Sequence, residues 1–141
     1  MKKVFALLLA IVLCFSLCAC GGQSEPELTK EELISTDLKT DIMTLQGEVY
    51  SNKVKAMQDY GNKPIIISGK VLTVETDHVV LCESQVCLDA YLSVEDLMKV
   101  ESGEIISVAG IIKEIKEVTL NWADMPFSSP HCIMDVAYLV D

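Results

Sequence analysis

The sequence predicts a mainly β domain with some α-helix, following an N-terminal export segment. Three observations support this fold class. Between residues 29 and 60, apolar side chains recur every three or four positions, as in an amphipathic helix. After Pro64 the pattern changes to β-branched stretches separated by short turns, as in a sheet. One short helical pattern then lies between the third and fourth of these stretches.

The first twenty residues resemble the signal of a bacterial lipoprotein. Lys2 and Lys3 give a basic start, and an apolar stretch of about 15 residues follows. The stretch ends in Leu17-Cys18-Ala19-Cys20, which resembles the lipobox. In that motif the thiol of the last cysteine receives a diacylglycerol, and signal peptidase II cuts just before it. We therefore expect residues 1–19 to be a signal peptide and Cys20 to carry the lipid.

An uncleaved membrane anchor is the alternative for this segment. However, the apolar run is shorter than the ~20 residues that a spanning helix needs. Residues 21–27 are small and polar, which is typical of a flexible linker. The expected organisation is a tether at 20–28 and a folded domain at 29–141, held by lipid on the extracytoplasmic face of the cell membrane.

The helical pattern begins with a capping box. Thr29 is followed three residues later by Glu32, so each side chain can satisfy a free backbone N–H of the other residue. The helix is expected to run to Tyr60 with a break or bend near Gly47. Gly61 is the expected C′ residue, free to adopt a positive φ. The apolar stripe of this helix consists of Ile34, Leu38, Ile42, Leu45 and Val49, and it continues through Ala56 and Tyr60.

Five strands are expected after the helix. Gly69 in the first and Gly110 in the fourth suggest a bulge or sharp bend. Ser93 with Asp96 caps the short helix, and residues 121–130 are expected to form an irregular loop. The predicted strands span residues 65–74, 78–82, 85–91, 105–115 and 131–140, with the short helix at 94–100.

This order of elements predicts a five-stranded OB-fold barrel, preceded by an N-terminal helix and with the short helix between strands 3 and 4. In a small barrel the first and fourth strands must curve to close the sheet. The glycines in those two strands fit that requirement. An α+β sandwich is the alternative that the pattern leaves open.

Two stretches of the sequence also resemble a known family. The first leads from the helix into the first strand, and the second runs through the fourth strand into the last. The residues concerned are Asn52-x-Val54-x-Ala56-x-x-x-Tyr60-x-x-Lys63, Ile65-x-Ile67-x-Gly69-Lys70-Val71, Gly103-Glu104-x-Ile106-x-Val108-x-Gly110 and His131-Cys132-Ile133. From about residue 45 to residue 140 the chain resembles the tRNA-anticodon-like OB-fold family of small bacterial exported proteins and lipoproteins. The resemblance implies an OB fold and export, and it implies no shared activity.

The charge of the chain argues against nucleic-acid binding. All eleven basic residues are lysines, against 21 Asp and Glu, and the formal net charge is −10. Loss of Lys2 and Lys3 with the signal would bring the charge to −12. A surface that binds nucleic acid is basic and carries aromatic residues on which bases stack. An acidic surface favours solubility instead, and a cationic partner is the alternative.

Three cysteines would remain besides the lipidated one. Cys82 and Cys87 flank a turn between predicted neighbouring strands, so they are candidates for a disulfide. Three buried thiols, or a bridge that uses Cys132, are the alternatives. With His131 these cysteines have the right atoms for zinc. Adjacent His131 and Cys132 would point to opposite faces of a strand, however, so we expect no metal and no cofactor.

The sequence contains no recognisable catalytic grouping. A cysteine nucleophile needs a base within hydrogen-bond reach, and adjacent strand positions do not provide it. The paired carboxylates Glu31-Glu32 and Glu95-Asp96 fall at predicted helix starts, where they interact favourably with the helix dipole. We therefore expect that the protein is not an enzyme.

The predicted loop 121–130 is the best candidate for ligand binding. It holds Trp122, the only tryptophan, with Met125 and Phe127, and such side chains anchor interfaces when they are exposed. They could instead fold back and cap the barrel. We expect an OB-fold binding module for a protein, peptide or envelope glycan, without catalysis. The alternatives are an assembly subunit that docks through residues 30–60, and an enzyme or metal protein that uses the three cysteines.

Overall fold

The structure is a computed structural model that describes residues 28–122 and 125–140, with side chains described for 28–119 and 128–140. The expected signal peptide, the expected lipidation site Cys20 and the expected tether up to residue 27 lie outside the described residues. Within the described part, no helix is long and apolar enough to span a membrane.

Four helices and six strands make up the described residues. The helices are α1 (Lys30–Ile34), α2 (Ile42–Ser51), α3 (Lys53–Tyr60) and α4 (Val94–Leu97). The strands are β1 (Lys39–Asp41), β2 (Pro64–Val74), β3 (His78–Cys82), β4 (Cys87–Tyr91), β5 (Ile105–Trp122) and β6 (Met125–Val140).

The six strands form one sheet whose hydrogen bonding closes into a ring. Strand β2 pairs with β3, β3 with β4, and β5 with β6, all antiparallel, while β4 and β6 run parallel. The antiparallel pairing of β5 with β2 closes the ring. Strand β1 lies outside it and pairs parallel with β2. The prediction of a mainly β domain is therefore confirmed, with one strand more than the five expected.

The N-terminal helical region is divided where polar caps begin new helices. The capping box of Thr29 and Glu32 is present as predicted. The prediction of a bend near Gly47 is wrong, because Gly47 lies inside α2. Instead, Asp41 accepts a hydrogen bond from the Thr44 N–H at 2.9 Å and caps α2, and Asn52 accepts one from the Lys55 N–H at 3.0 Å and caps α3.

Gly61 follows α3 for a different reason than the one predicted. Its φ is −72°, and Asn62 takes the left-handed conformation with φ of +56° instead. A Cβ atom on Gly61 would lie 2.5 Å from the carbonyl oxygen of Met57. The glycine is therefore required by a close approach of the chain to α3 rather than by backbone conformation.

The irregularities of the long strands lie partly where the glycines predict them. Strand β5 shifts register directly after Gly110, which confirms a bulge there. In β2 the shift lies between Val71 and Thr73, whereas Gly69 pairs regularly with Ile106, so the bulge predicted at Gly69 is wrong.

The irregular loop predicted at 121–130 is a β-hairpin. Strands β5 and β6 stay paired from Glu117 and Pro130 to Trp122 and Met125. The prolines at 126 and 130 are accommodated because β6 has β5 as its only partner in this region, and proline is tolerated on a strand with a free edge. The hairpin thus extends beyond the ring.

The main hydrophobic core fills the ring, and α2 covers it. Ile42, Leu45 and Val49 of α2 are each about 1% exposed and belong to this core. A smaller cluster lies on the outer side of the sheet, where Leu33 of α1 packs with Ile66 and Ala109. Leu28, the last residue of the predicted tether, packs against that cluster and belongs to the folded part.

Candidate functional site

An open apolar groove lies between α3 and the outer half of β5. Its volume is about 380 Å³. The helix contributes one wall because Val54 and Met57 are one turn apart and share a face. Strand β5 contributes the other wall through the half-buried Ile115. The groove is lined by Lys53, Val54, Met57, Gln58, Asn62 and Ile115.

At the rim of the groove an ion pair connects α3 to the β5–β6 hairpin. The Lys53 ammonium forms an ion pair with the Glu117 carboxylate. The other oxygen of that carboxylate accepts a hydrogen bond from the Ser128 hydroxyl at 2.9 Å. Both members of the ion pair are about half exposed, so the pair adds little stability. It links α3 to the base of the hairpin.

The groove can accept an apolar group from a ligand. Val54 is 69% exposed, and Met57 offers a flexible thioether that adapts to irregular shapes. Sites of this kind combine an apolar floor with a few polar groups that orient the ligand. Lys53, Gln58 and Asn62 supply such groups at this groove.

The predicted binding residues lie on the same hairpin. Its backbone pairs Trp122 with Met125, and Leu120 with Phe127. The side chains at these positions lie outside the described part of the structure. The groove itself was missed by sequence reasoning, although Val54 and Met57 give a signal for it, because they are apolar and one turn apart. Met57 also packs against the main core.

The structure joins Cys82 to Cys87 and leaves Cys132 free. The two bonded residues are direct partners in the β3–β4 ladder, with Cα atoms 4.4 Å apart. Cys132 lies in the main core, completely buried. Burial raises the pKa of the Cys132 thiol to about 12, and the nearby Asp89 carboxylate adds to the rise.

His131 and Asp89 form a buried pair across β6 and β4. The Nδ1 atom of His131 lies 2.7 Å from an Asp89 carboxylate oxygen. The two residues are 6% and 7% exposed. The other ring nitrogen of His131, Nε2, is buried without a hydrogen-bond partner among the described residues. Sequence reasoning missed this pair because its members are 42 positions apart.

His131 and Cys132 point to opposite faces, as alternation along a strand predicts. His131 reaches Asp89 on the outer face, and Cys132 belongs to the core inside the ring. In the described residues no group of three or more His, Cys, Asp or Glu side chains is placed to hold a metal ion.

The paired carboxylates are structural. Glu31 and Glu32 lie in the first turn of α1, and Glu95 and Asp96 in the first turn of α4. The Thr29 backbone N–H lowers the pKa of the Glu32 carboxyl by donating a hydrogen bond to it. The position of all four residues agrees with the predicted interaction with helix dipoles.

Comparison of the chain with models of protein families, with curated proteins and with solved structures finds no match.

Proposed function

We propose that this protein is an exported lipoprotein whose folded part is a non-catalytic binding module of the OB type. The proposal includes membership of the tRNA-anticodon-like OB-fold family, on the residues that resemble it. It combines a lipid on Cys20 with a ligand surface made of the groove and the hairpin. The ligand is a protein, a peptide or an envelope glycan.

The OB assignment is supported by the order of pairing. Without β1, the ring runs β2–β3–β4–β6–β5 and back to β2, with α4 between its third and fourth strands in sequence. OB barrels are five-stranded Greek-key barrels that bind ligands through the loops after their first and fourth strands. The second of these loops corresponds to the tip of the β5–β6 hairpin, which contains Trp122, Met125 and Phe127.

The groove at the base of that hairpin is the observation that carries the binding proposal. The groove places an apolar floor next to the β5–β6 hairpin, the element whose tip corresponds to a ligand-binding loop of OB barrels. An apolar floor selects a ligand with an apolar side chain, so a protein or peptide segment fits better than a glycan. The lipid on Cys20 would keep this surface close to partners in the cell envelope.

A substitution in the groove tests the binding proposal, with a closely matched control. Val54 and Val94 are both 69% exposed and both lie in the first turn of a helix. Val54→Glu places a charge in the groove, whereas Val94→Glu places the same charge on α4. Partner recovery from solubilised envelope is expected to fall about tenfold for Val54→Glu, which corresponds to 1.4 kcal/mol, and to stay unchanged for Val94→Glu.

Trp122→Ala and Phe127→Ala extend the test to the hairpin. Each is expected to lower recovery of the same partner, because aromatic anchors carry much of an interface's binding energy. Equal recovery by all four variants, each shown to be folded by circular dichroism, would remove the groove and hairpin from the proposal. A bound envelope glycan in place of a protein would keep the surface and change the ligand class.

The assembly-subunit alternative has less support. Its docking element was the apolar stripe of residues 30–60, and Ile42, Leu45 and Val49 of that stripe are buried in the core. The large apolar residues of α2 and α3 that are exposed are Met43, Tyr50 and Val54. Of these, Val54 belongs to the groove.

The lipid anchor is tested separately. Cys20→Ser should move the protein from the membrane fraction to the soluble fraction and abolish labelling by a fatty-acid probe. Retention of label in that variant would exclude Cys20 as the modified residue. Filter binding with RNA at physiological salt tests the expectation that the acidic module does not bind nucleic acid.

A further inference from the structure

Three side chains form a row across the outer face of the ring. Cys82 of β3 is the direct ladder partner of Cys87 of β4, and Cys87 is the direct partner of His131 of β6. The neighbours Leu81, Leu88 and Cys132 lie in the core inside the ring. Because successive side chains of a strand alternate between faces, the disulfide and the imidazole lie together on the other face.

His131 is held ready for proton transfer. Its Nδ1 is fixed by the Asp89 carboxylate at 2.7 Å, and its Nε2 is buried without a partner among the described residues. A carboxylate at one ring nitrogen orients the imidazole. A buried polar atom without a partner is costly to the fold. The arrangement therefore leaves one ring nitrogen without a partner on His131, the residue that pairs with Cys87 in the β4–β6 ladder.

The two cysteine residues differ in their exposure. Cys82 is partly exposed, whereas Cys87 is 3% exposed. The loop that they enclose contains Ser84 with φ of +105°, a strained conformation for a residue with a side chain. Opening the disulfide would allow this loop to relax. An external thiol can thus reach Cys82, and Cys87 is the sulfur that leaves.

We propose that the Cys82–Cys87 disulfide is a thiol–disulfide exchange site, that its substrate is a dithiol, and that His131 is the acid–base group of Cys87. This site lies outside the groove and the hairpin, and it is independent of the binding function. It uses the buried pair and the disulfide that the binding module leaves without a role.

The exchange proceeds in two steps. A thiolate of the dithiol attacks Sγ of Cys82; the S–S bond breaks, its electron pair passes to Sγ of Cys87, and Nε2 of protonated His131 gives that sulfur a proton. The second thiolate of the dithiol then attacks the first sulfur of the dithiol, which is bonded to Cys82 in the mixed disulfide. This attack releases Cys82, which is protonated from water. The dithiol leaves as a disulfide, so two electrons have passed from it to the protein. Solvent supplies the two protons, one directly to Cys82 and one to His131 in place of the proton given to Cys87.

Cys132 takes no part in this exchange. It lies on the inner face, completely buried, next to Leu88 rather than Cys87 in the ladder. Since its pKa is raised to about 12, it remains a thiol at neutral pH. The site therefore has two sulfur atoms and one imidazole.

Reduction of the folded, oxidised full chain by dithiothreitol tests the role of His131. His131→Gln keeps a group that can donate to Asp89 and removes the group that gives Cys87 a proton. His78→Gln is the matched control, because His78 Nδ1 also lies 2.7 Å from a carboxylate, that of Asp77, and His78 lies on β3 four residues before Cys82. The rate of reduction is expected to fall by at least about tenfold for His131→Gln and by less than about twofold for His78→Gln. The tenfold minimum lies below the usual contribution of a general acid to a reaction rate.

Equal rates for these two variants would overturn the proposal. So would a wild-type disulfide that is reduced only as fast as the chain unfolds. Thiols are counted by maleimide labelling and mass spectrometry, and circular dichroism shows whether each variant is folded.

A second measurement needs no change at His131. Glutathione, a monothiol, should form a mixed disulfide on Cys82 of the wild-type chain, and peptide mapping locates the adduct. An adduct on Cys87 would overturn the proposed direction of attack.

Discussion

Gly110→Ala is expected to destabilise the ring at the point where β5 and β6 cross from regular pairing into a bulge. Gly110 pairs with Ile65 of β2 and with Ala137 of β6. A Cβ atom there would lie 2.6 Å from both Met134 Cγ and the carbonyl oxygen of Val136. Ordinary contacts are about 0.8 Å longer or more.

The cost follows from what surrounds that atom. Met134 is completely buried, so its side chain cannot turn out to solvent, and the carbonyl group belongs to the paired backbone. Overpacking of this kind costs about 1–3 kcal/mol. Alanine recovers part of this by restricting the unfolded chain, about 0.4–1 kcal/mol. The expected net loss is therefore about 1–2 kcal/mol.

Gly47→Ala is the matched control. Gly47 is exposed inside α2, and no atom lies within 4 Å of an added Cβ. Alanine in a helix interior is favoured over glycine by roughly 0.8–1 kcal/mol, so this variant should be more stable than the wild type.

Urea unfolding followed by circular dichroism measures both changes. With a slope of about 1.5 kcal/mol per M, the midpoint should fall by about 1 M for Gly110→Ala and rise by roughly 0.5 M for Gly47→Ala. A midpoint for Gly110→Ala at or above that of the wild type would refute the packing argument. An unchanged midpoint for Gly47→Ala would show that α2 is not limited by helix propensity.

Two further predictions concern ionisable groups. The Cys132 thiol has a raised pKa in the folded state, so the thiol of the unfolded chain loses its proton at a lower pH. The free energy of unfolding should therefore fall above about pH 9, by at most ~1.4 kcal/mol per pH unit. Urea titrations at pH 8, 9 and 10 should show this slope for the wild type and not for Cys132→Ala. Asp41→Ala should cost about 1 kcal/mol through loss of the α2 cap, and Asp41→Asn should cost less. The Thr44 backbone N–H lowers the pKa of the Asp41 carboxyl. The contribution of the charged cap to stability is therefore present above about pH 4 and lost below it. A stability difference between the wild type and Asp41→Asn that did not vary between pH 6 and pH 3 would contradict this.

The elements that the sequence predicts correctly are those stabilised by nearby residues. The caps at Thr29 and Ser93 involve partners three residues away, and strand β3 is recognisable from its own short run of apolar and β-branched residues. The boundaries at Asp41 and Asn52 were missed although both are good N-cap residues. There the apolar stripe continues through the break, so a pattern based on spacing joins separate helices into one.

The hairpin was missed for a related reason. Two prolines and few strand-forming residues between 121 and 130 indicate a loop when they are considered alone. Pairing with β5 makes this segment a strand, because the partner strand overrides weak local preference. The same holds for the groove and for the His131–Asp89 pair, whose residues come from distant parts of the chain.

The amino-acid sequence by itself therefore determined the helix caps, the strand-rich class, the acidic charge and the alternation that separates His131 from Cys132. These features depend on hydrogen bonds and side-chain directions within a few residues. Only the tertiary structure decided which strands close the ring, where the groove lies and that Asp89 meets His131. Those contacts join residues that are tens of positions apart, and they form only once the core inside the ring has excluded water.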